Sequence, residues 1–233
     1  MVTDGVVVIH AGEQPPIDAW HASIFLAGPN PRDQGVPSWR PDAVDMLRQA
    51  WANRGTLAVF VPEGRGWKPL KYERHPWESK WLSTVDVIAF WVQRDMATMP
   101  ALNTNIEFGR WEDSGRIVFG APPESVHVGY MRERAHRNGA PVTDTLDATM
   151  LAALAKVGAG AYREHGERDV PLNVWRSDAF TSWLSRQRTA GRNLNGGYVL
   201  LARGPGPDYW AFNAQVDGQS VVVVSDSLST RKV

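Results

Sequence analysis

Short apolar runs alternate with amphipathic runs along the first 140 residues of the chain. Five apolar runs are rich in β-branched and aromatic residues and too short for buried helices, which predicts strands. They lie at Val6–His10, Ser23–Ala27, Leu57–Val61, Val85–Val92 and Ile117–Gly120. The amphipathic runs predict helices at Pro41–Asn53, Trp77–Thr84, Asn105–Asp113 and Val128–Asn138. Strands that alternate with helices predict an α/β fold, a doubly wound, mostly parallel five-stranded sheet with helices on both faces.

The pattern changes near residue 160, where we predict a domain boundary. Residues 1–160 would form the sheet domain and residues 161–233 a small, β-rich α+β appendage. The segment GERDVPLNVWRSDAFTSWL predicts a short strand and then a helix in which Phe180 and Leu184 share a face. The runs GGYVLLARG, YWAFNAQV and VVVV predict strands separated by Gly-Pro turns. Because so small an appendage is marginal alone, we expect it to pack on the first domain or on another chain.

Composition excludes several partners and chemistries. Lys+Arg and Asp+Glu both number 25, so no net charge attracts a nucleic acid polymer or an anionic membrane. The absence of cysteine excludes disulfides, thiol nucleophiles and zinc–thiolate sites, and it is compatible with a cytoplasmic location. We find no signal-peptide pattern and no run of eighteen apolar residues. The six histidines are scattered, so we predict no metal and no cofactor.

Carboxylates at strand ends are the chemistry that remains. The dinucleotide fingerprint GxGxxG, the phosphate loop GxxxxGK[ST] and the elbow GxSxG are all absent. In parallel sheets, ligands bind beyond the carboxyl ends of the strands. That rule selects residues 28–33, 62–66 and 93–95 and the start of the helix that carries Glu107. Carboxylates there favour glycosyl chemistry, in which one carboxylate attacks or supports an anomeric carbon and a second acid handles the leaving group.

Two segments of the chain resemble a known superfamily. They are SIFLAGPNPRDQGVPSWRPDAVDML and WESKWLSTVDVIAFWVQRDMATMPALNTNIEFGRWEDSGRIVFGAPP. Both are similar to the nucleoside 2-deoxyribosyltransferase superfamily, most closely its deoxyribosyltransferase-like branch, and the resemblance covers about Val6 to Leu146. Its most specific parts are the FLAGP turn, the acidic residue before DVIAFW, and the N-x-E-F-G motif. The resemblance implies a flavodoxin-like fold and cleavage of the N-glycosidic bond of a (deoxy)nucleoside or nucleotide, with the sugar passed to another base or to water.

The resemblance also implies the roles of particular residues. Glu107 matches the family's nucleophile, which forms a glycosyl-enzyme ester, and Glu78 falls where the family usually has an Asp near the base. Phe25 stands where some members carry a Tyr. We expect Arg32 and Arg40 to supply a charge-assisted phosphate contact. The predicted substrate-binding residues are Phe25, Gly28, Pro29, Asn30, Arg32, Asp33, Arg40, Trp91, Arg94, Asp95 and Asn105.

The residue pattern alone leaves alternatives open. The run Thr104-Asn105-Ile106-Glu107 also fits a capping box, in which Glu107 satisfies a backbone N–H at the start of the helix. A helix N-terminus would in addition keep Glu107 ionised. Arg94 and Asp95 could pair with each other or line the pocket. Trp91 fits the core or a platform for a base, Asn105 could orient the nucleophile, bind a sugar hydroxyl or cap the helix, and Asp86 fits a turn or cap residue.

The function has an alternative too, a non-catalytic module that binds a nucleoside or nucleotide. In either case we expect a small-molecule partner and, as in related enzymes, a homo-oligomer in which a neighbouring subunit helps to close the pocket. The appendage resembles, more weakly, the segment that links this domain to a Nudix hydrolase domain in longer proteins. The chain has no Nudix box, so we expect no pyrophosphatase activity.

Overall fold

A computed structural model of the chain describes residues 5–32, 35–52, 54–66, 75–200 and 209–225. Its centre is a sheet of parallel strands in the order β1-β4-β3-β5-β6-β7. The strands are β1 (Gly5–His10), β3 (Ala22–Ala27), β4 (Thr56–Val61), β5 (Val87–Trp91), β6 (Ile117–Gly120) and β7 (Val142–Thr143). Without β1 this is the flavodoxin order 2-1-3-4-5, whose switch point lies between β3 and β5. The fold class is confirmed. The sheet has six strands where five were predicted. The sixth, β7, was missed because its two residues form no apolar run.

The central strands are apolar on both faces because both faces are covered. In β3, Phe25 and Ala27 lie in one core cluster, with the aromatic side chains below α2 and α3. Ile24 and Leu26 point the other way, into the cluster that α1 and α5 cover. The helices are α1 (Arg40–Ala50), α2 (His75–Thr84), α3 (Leu102–Trp111), α4 (Gly129–Arg137) and α5 (Leu146–Val157).

The first four of these helices agree with the prediction apart from their ends. The predicted end of α1 at Asn53 lies outside the described residues. Helix α5 was not predicted. It begins at the capping residue Thr145, whose hydroxyl accepts a hydrogen bond from the Ala148 amide, and it packs on α1, β5 and β6. No helix in the described part of the chain is long and apolar enough to cross a membrane.

The C-terminal part returns to the sheet domain and then forms a small sheet of its own. Strand β8 (Arg163–Glu164) pairs antiparallel with β2 (Ala19–Trp20). The predicted short strand after it is wrong. A 3-10 helix and α6 (Leu172–Trp175) stand there, because GERDV lacks the alternation that a half-buried strand needs.

The remaining described elements of this part agree with the prediction apart from their ends and turns. The end of the predicted strand GGYVLLARG and the Gly-Pro turn after it lie outside the described residues, and Asp217 and Gly218, not a Gly-Pro turn, separate the last two strands. Helix α7 (Asp178–Thr189) buries Phe180 and Leu184 as expected. Strands β9 (Leu194–Val199), β10 (Ala211–Val216) and β11 (Gln219–Val224) form an antiparallel sheet in the order β11-β10-β9. The domain boundary at residue 160 and the homo-oligomer stay predictions.

A buried ion pair joins the two parts of the chain. The terminal nitrogens Nη1 and Nη2 of Arg163 each donate to one carboxylate oxygen of Asp86 at 2.7 Å, and both side chains are buried. Asp86 also accepts hydrogen bonds from the Ser23 amide (2.7 Å) and the Leu172 amide (2.8 Å). Asp86 does lie in the turn before β5, as its interpretation as a turn residue required. Its side chain, however, also helps to hold the appendage to the sheet domain, beside the pairing of β8 with β2.

Candidate active site

A cavity of about 240 Å³ opens at the carboxyl edge of the central sheet, at the switch point between β3 and β5. Its walls come from the loops after β3 and β4, the first turn of α2, and the segment that leads into α3. Its lining is Gly28, Pro29, Asn30, Arg32, Pro62, Glu78, Pro100, Ala101, Leu102, Asn103, Thr104 and Glu107. The cavity thus brings together both predicted catalytic carboxylates and four of the predicted binding residues.

Glu107 reaches this cavity from the second turn of α3, and the alternative interpretation of Thr104 to Glu107 as a capping box is wrong. The helix begins at Leu102, and the Asn105 amide already bonds the carbonyl of Ala101. Thr104 is therefore an internal helix residue, three positions after the N-cap. The N-cap itself is Ala101, in the left-handed conformation (φ 57°, ψ 36°) and without a side-chain cap. Such a conformation is strained for alanine, and strain of this kind concentrates at functional sites.

The Glu107 carboxyl has a strongly raised proton affinity. Its pKa rises from 4.5 to about 8, first because burial removes water from the carboxylate and then because Glu78 repels its charge. Arg40 opposes these effects and lowers the pKa. The expectation that a helix N-terminus keeps Glu107 ionised is wrong, since the macrodipole acts mainly within the first turn. Two carboxyls that perturb each other in a cleft are typical of catalytic sites.

The loop after β3 forms the wall opposite α3. Gly28 is required here, because a Cβ would collide with the carbonyl oxygen of Trp91 at the end of β5. Asn30 donates a weak hydrogen bond to the carbonyl of Pro62 (3.4 Å), which ties the loop to the end of β4. Arg32 lies exposed at the cavity wall, and its role as a phosphate contact stays a prediction. Asp33 lies outside the described residues.

Arg40 does not have the predicted role. Its side chain has no exposed surface, and its donors bind Leu26, Gly28, Asn30 and Glu63. The predicted direct contact between Arg40 and a phosphate is therefore wrong, because the guanidinium lies below the cavity wall and not on it. Glu63 was missed. It follows β4 within the segment that the strand-end rule selected, but nothing in the sequence marked it as the partner of an arginine 23 residues earlier.

Two aromatic residues expected at the substrate lie in the core. Phe25 is fully buried, with its ring 6.0 Å from that of Trp77. Trp91 is buried as well, and its indole nitrogen donates to the side chain of Gln93 (3.1 Å). Neither lines the cavity. The role of Trp91 as a platform for a base is therefore wrong, and its other interpretation, a core residue, is the one observed.

The three polar residues after β5 also lie away from the cavity lining. The buried side chain of Arg94 donates to the Asn105 side chain and to the carbonyl of His127 (2.7 Å). Asp95 accepts hydrogen bonds from the Thr98 amide (2.7 Å) and hydroxyl, so it shapes a turn and does not pair with Arg94. Asn105 cannot orient Glu107, because residues two apart on a helix lie about 200° apart around its axis.

The segment before and within the first turn of α3 contributes lining residues that sequence reasoning missed. Pro100, Ala101 and Asn103 all line the cavity, and Ala101 carries the unusual backbone conformation. Their side chains carry no charge, so only their place just before the Glu107 motif could have pointed to them. The loop turns here because the polypeptide must bring the start of α3 over the end of β5.

A flavodoxin-like domain with two carboxyls lining one cavity at its switch point is typical of proteins that bind or act on small molecules. Residues 21–125 match the family model described as nucleoside 2-deoxyribosyltransferase like. The match runs from β3 past β6 and includes Glu78 and Glu107, but it covers less than half of the chain and none of the appendage. It confirms the assignment of this segment to the nucleoside 2-deoxyribosyltransferase superfamily. No curated protein matches the chain.

Proposed function

We propose that the protein cleaves the N-glycosidic bond of a (deoxy)nucleoside or nucleotide through a glutamyl glycosyl-enzyme intermediate. The observation that carries this proposal is the joint presence of Glu107 and Glu78 in one cavity at the switch point of the matched domain. Each carboxyl matches, by its place in the sequence, a functional carboxyl of the superfamily. Glu107 is the nucleophile, and Glu78 handles the leaving base.

The reaction has two displacements. In the first, a carboxylate oxygen of Glu107 attacks C1′ while the C1′–N bond breaks, and its electron pair leaves with the base. Glu78 supplies or holds the proton that keeps the base from departing as a bare anion. In the second, water or another base attacks C1′ and gives up its proton to Glu78, and the electron pair of the ester bond returns to Glu107. Two inversions give net retention at C1′.

The raised pKa of Glu107 suits a nucleophile of this kind. With a pKa of about 8, roughly one molecule in ten carries the carboxylate at pH 7. That carboxylate is poorly hydrated. Its charge therefore acts more strongly on the oxocarbenium-like transition state than it would in water. The ionised fraction grows with pH, so activity should rise as the pH approaches 8.

A non-catalytic module that binds a nucleoside or nucleotide is the second candidate. It is favoured by the same pKa, because a mostly protonated Glu107 can bind a ligand by donating a hydrogen bond. It is also favoured by Phe25, which brings no hydroxyl to the cavity. The two candidates differ in one product: only the enzyme releases free base.

The deciding experiment is incubation with a panel of nucleosides and nucleotides, with and without a second base, followed by chromatography. We expect free base without an acceptor if the enzyme is a hydrolase, and an exchanged nucleoside only with an acceptor if it is a transferase. The control is the Glu107→Gln protein. Release of no base from any substrate, together with saturable binding of one of them, would favour the binding module.

The same assay tests metal dependence. Among the described residues, no group of three or more His, Asp or Glu side chains is arranged to hold a metal ion. We therefore expect turnover to survive EDTA unchanged. Loss of turnover on chelation, with recovery on adding back one divalent metal, would contradict the metal-free mechanism.

A further inference from the structure

A buried cation lies directly below the candidate active site. Arg40 is the first residue of α1, and its guanidinium binds the backbone of the cavity loop: Nε donates to the Leu26 carbonyl (3.0 Å) and Nη2 to the Gly28 carbonyl (2.8 Å). Nη1 donates to the side chains of Asn30 (2.7 Å) and Glu63 (2.6 Å). A single side chain thus ties the end of β3, the loop that lines the cavity, and the end of β4.

The partner carboxylate is incompletely satisfied. Glu63 is fully buried, and its Oε1 accepts from Arg40 and from the Ser38 hydroxyl (3.0 Å). Its Oε2 is buried without a hydrogen-bond partner among the described residues. A buried ion pair that leaves an oxygen bare is costly to maintain.

The charge of Arg40 also acts on the cavity. The guanidinium attracts Glu107 and Glu78 as well as Glu63. Arg32 is the other cation at the cavity, but its side chain is exposed to solvent, where its field is screened. Among the described residues that line or underlie the cavity, Arg40 is therefore the buried cation that both carboxyls share.

We infer that Arg40 is a positioning residue of the reaction, which holds the Gly28–Asn30 loop as one wall of the cavity and, by its charge, favours the carboxylate form of Glu107. The inference rests on the proposed function for its catalytic meaning. Its two parts act through different atoms. The several N–H donors of the planar guanidinium hold the loop, whereas any cation at this position would favour the carboxylate form of Glu107.

Titration of Glu107 tests the electrostatic part without substrate. The carboxyl carbon of Glu107 is followed by NMR against pH in four folded proteins: wild type, Glu63→Gln, Arg40→Lys, and the double variant Arg40→Met/Glu63→Met, which removes both charges together. We expect the midpoint to rise in the double variant, to fall in Glu63→Gln because Arg40 is no longer neutralised, and to stay near wild type in Arg40→Lys. Arg48→Met, in an exposed pair with Asp45 on the same helix, is the matched control and should leave the midpoint unchanged.

Kinetics test the positioning part. Arg40→Lys keeps the charge but loses the guanidinium donors that bind the loop. We therefore expect KM to rise on the order of tenfold, while the pH midpoint of kcat/KM stays at its wild-type value. In the double variant the pH midpoint itself should move upward. A Glu107 midpoint equal to wild type in both the double variant and Glu63→Gln would overturn the electrostatic part, and an unchanged KM in Arg40→Lys would overturn the positioning part.

The outcomes separate this inference from the proposed function. If the double variant does not fold, Glu63→Gln still decides the electrostatic part, since it keeps Arg40 and its contacts to the loop. If the wild type releases no base, the proposed function fails, while the NMR titration still tests the charge of Arg40. The loop is then tested by the affinity of a bound nucleoside, which Arg40→Lys should weaken by a similar factor.

Discussion

Two buried arginine–carboxylate pairs lie in the described part of the chain, and they differ in how completely their carboxylate oxygens are hydrogen-bonded. Arg163 and Asp86 join the appendage to the sheet domain, and Arg40 and Glu63 lie below the cavity. Neither pair has appreciable exposed side-chain surface: 0% and 1% for the first pair, and 0% for both members of the second. The two pairs are therefore desolvated to a similar extent. Any difference in what they do must come from their hydrogen bonds.

The contacts of the two carboxylates are unlike. Asp86 accepts two hydrogen bonds from Arg163, two from Ser23 and one from the Leu172 amide, so both of its oxygens are satisfied. Glu63 has no hydrogen-bond partner for Oε2 within the described ranges. A buried carboxylate whose oxygens are all hydrogen-bonded stabilises the fold, because removing one group of the network leaves its partners buried without hydrogen bonds. A buried pair with an unused oxygen below a cavity has a charge that can act on that cavity. The comparison predicts that variants in the two places fail in different ways.

The largest expected effect is at the cavity, in Glu107→Gln. Glutamine keeps the size and most hydrogen bonds but cannot form the ester, so we expect turnover to fall a thousandfold or more, about 4 kcal/mol or more in activation free energy. The protein should remain folded at neutral pH. Steady-state assays and thermal unfolding measure the two properties side by side. Near wild-type turnover in the folded variant would disprove the catalytic role.

At the junction the expected loss is in stability. Arg163→Met leaves Asp86 buried without its cation, which should cost about 3–5 kcal/mol of unfolding free energy. Chemical denaturation measures the loss, and any turnover that the folded fraction retains should have the wild-type KM. The matched control, Arg48→Met, breaks an exposed pair and should cost at most about 0.5 kcal/mol. Equal small losses in both variants would contradict the importance of the junction.

The residues that line the cavity and the two buried ion pairs differ in how far the sequence predicted them. Glu107, Glu78 and the loop after β3 were predicted because strand ends and motifs carry local information, and the parallel sheet then brings those ends together. The pairing of Asp86 with Arg163 joins residues 77 positions apart, and that of Arg40 with Glu63 joins the start of α1 to the loop after β4. No local pattern specifies which buried charges will meet.

Burial is the other quantity that the sequence did not supply. Trp91 is the last residue of β5 and Phe25 lies two residues before the end of β3, yet both side chains are buried in the core. The capping box failed for a similar reason: its residues match a local pattern, but the chain turns into α3 at Ala101, three residues earlier. The raised pKa of Glu107 follows from desolvation, which depends on elements that pack around it from elsewhere in the chain.

A smaller effect is expected in the stability of Glu107→Gln as a function of pH. Because the folded-state pKa of Glu107 is raised from 4.5 to about 8, the folded protein binds this proton more tightly than the unfolded chain does. The contribution to stability is full below pH 4.5 and is lost as the pH rises through 8. Glu107→Gln should therefore gain stability relative to wild type across this window, by about 1–2 kcal/mol near pH 8 after allowance for screening by solvent.

Denaturation of both proteins at pH 5, 6.5 and 8 measures this trend. Arg163→Met serves as the contrast, since its deficit should persist at all three values. A difference between Glu107→Gln and wild type that does not change with pH would mean that Glu107 titrates normally in the folded protein.

The smallest expected effect distinguishes the two carboxyls of the cavity from each other. Glu78→Gln removes the repulsion that helps to raise the pKa of Glu107, so that pKa should fall below 8, yet burial should keep it above 4.5. The acidic limb of the kcat/KM profile should move to lower pH by the same amount, because that limb reports the free enzyme. For substrates with good leaving groups, which need little help from Glu78, the variant should equal or exceed wild type near pH 6.5. For poor leaving groups the loss of the proton donor should dominate at every pH.

Glu133→Gln, in an exposed pair with Arg137 on α4, is the matched control and should leave the limb in place. If the limb stays at the wild-type pH in Glu78→Gln as well, the two carboxyls do not share a field, and Glu78 has no part in setting the charge of the nucleophile.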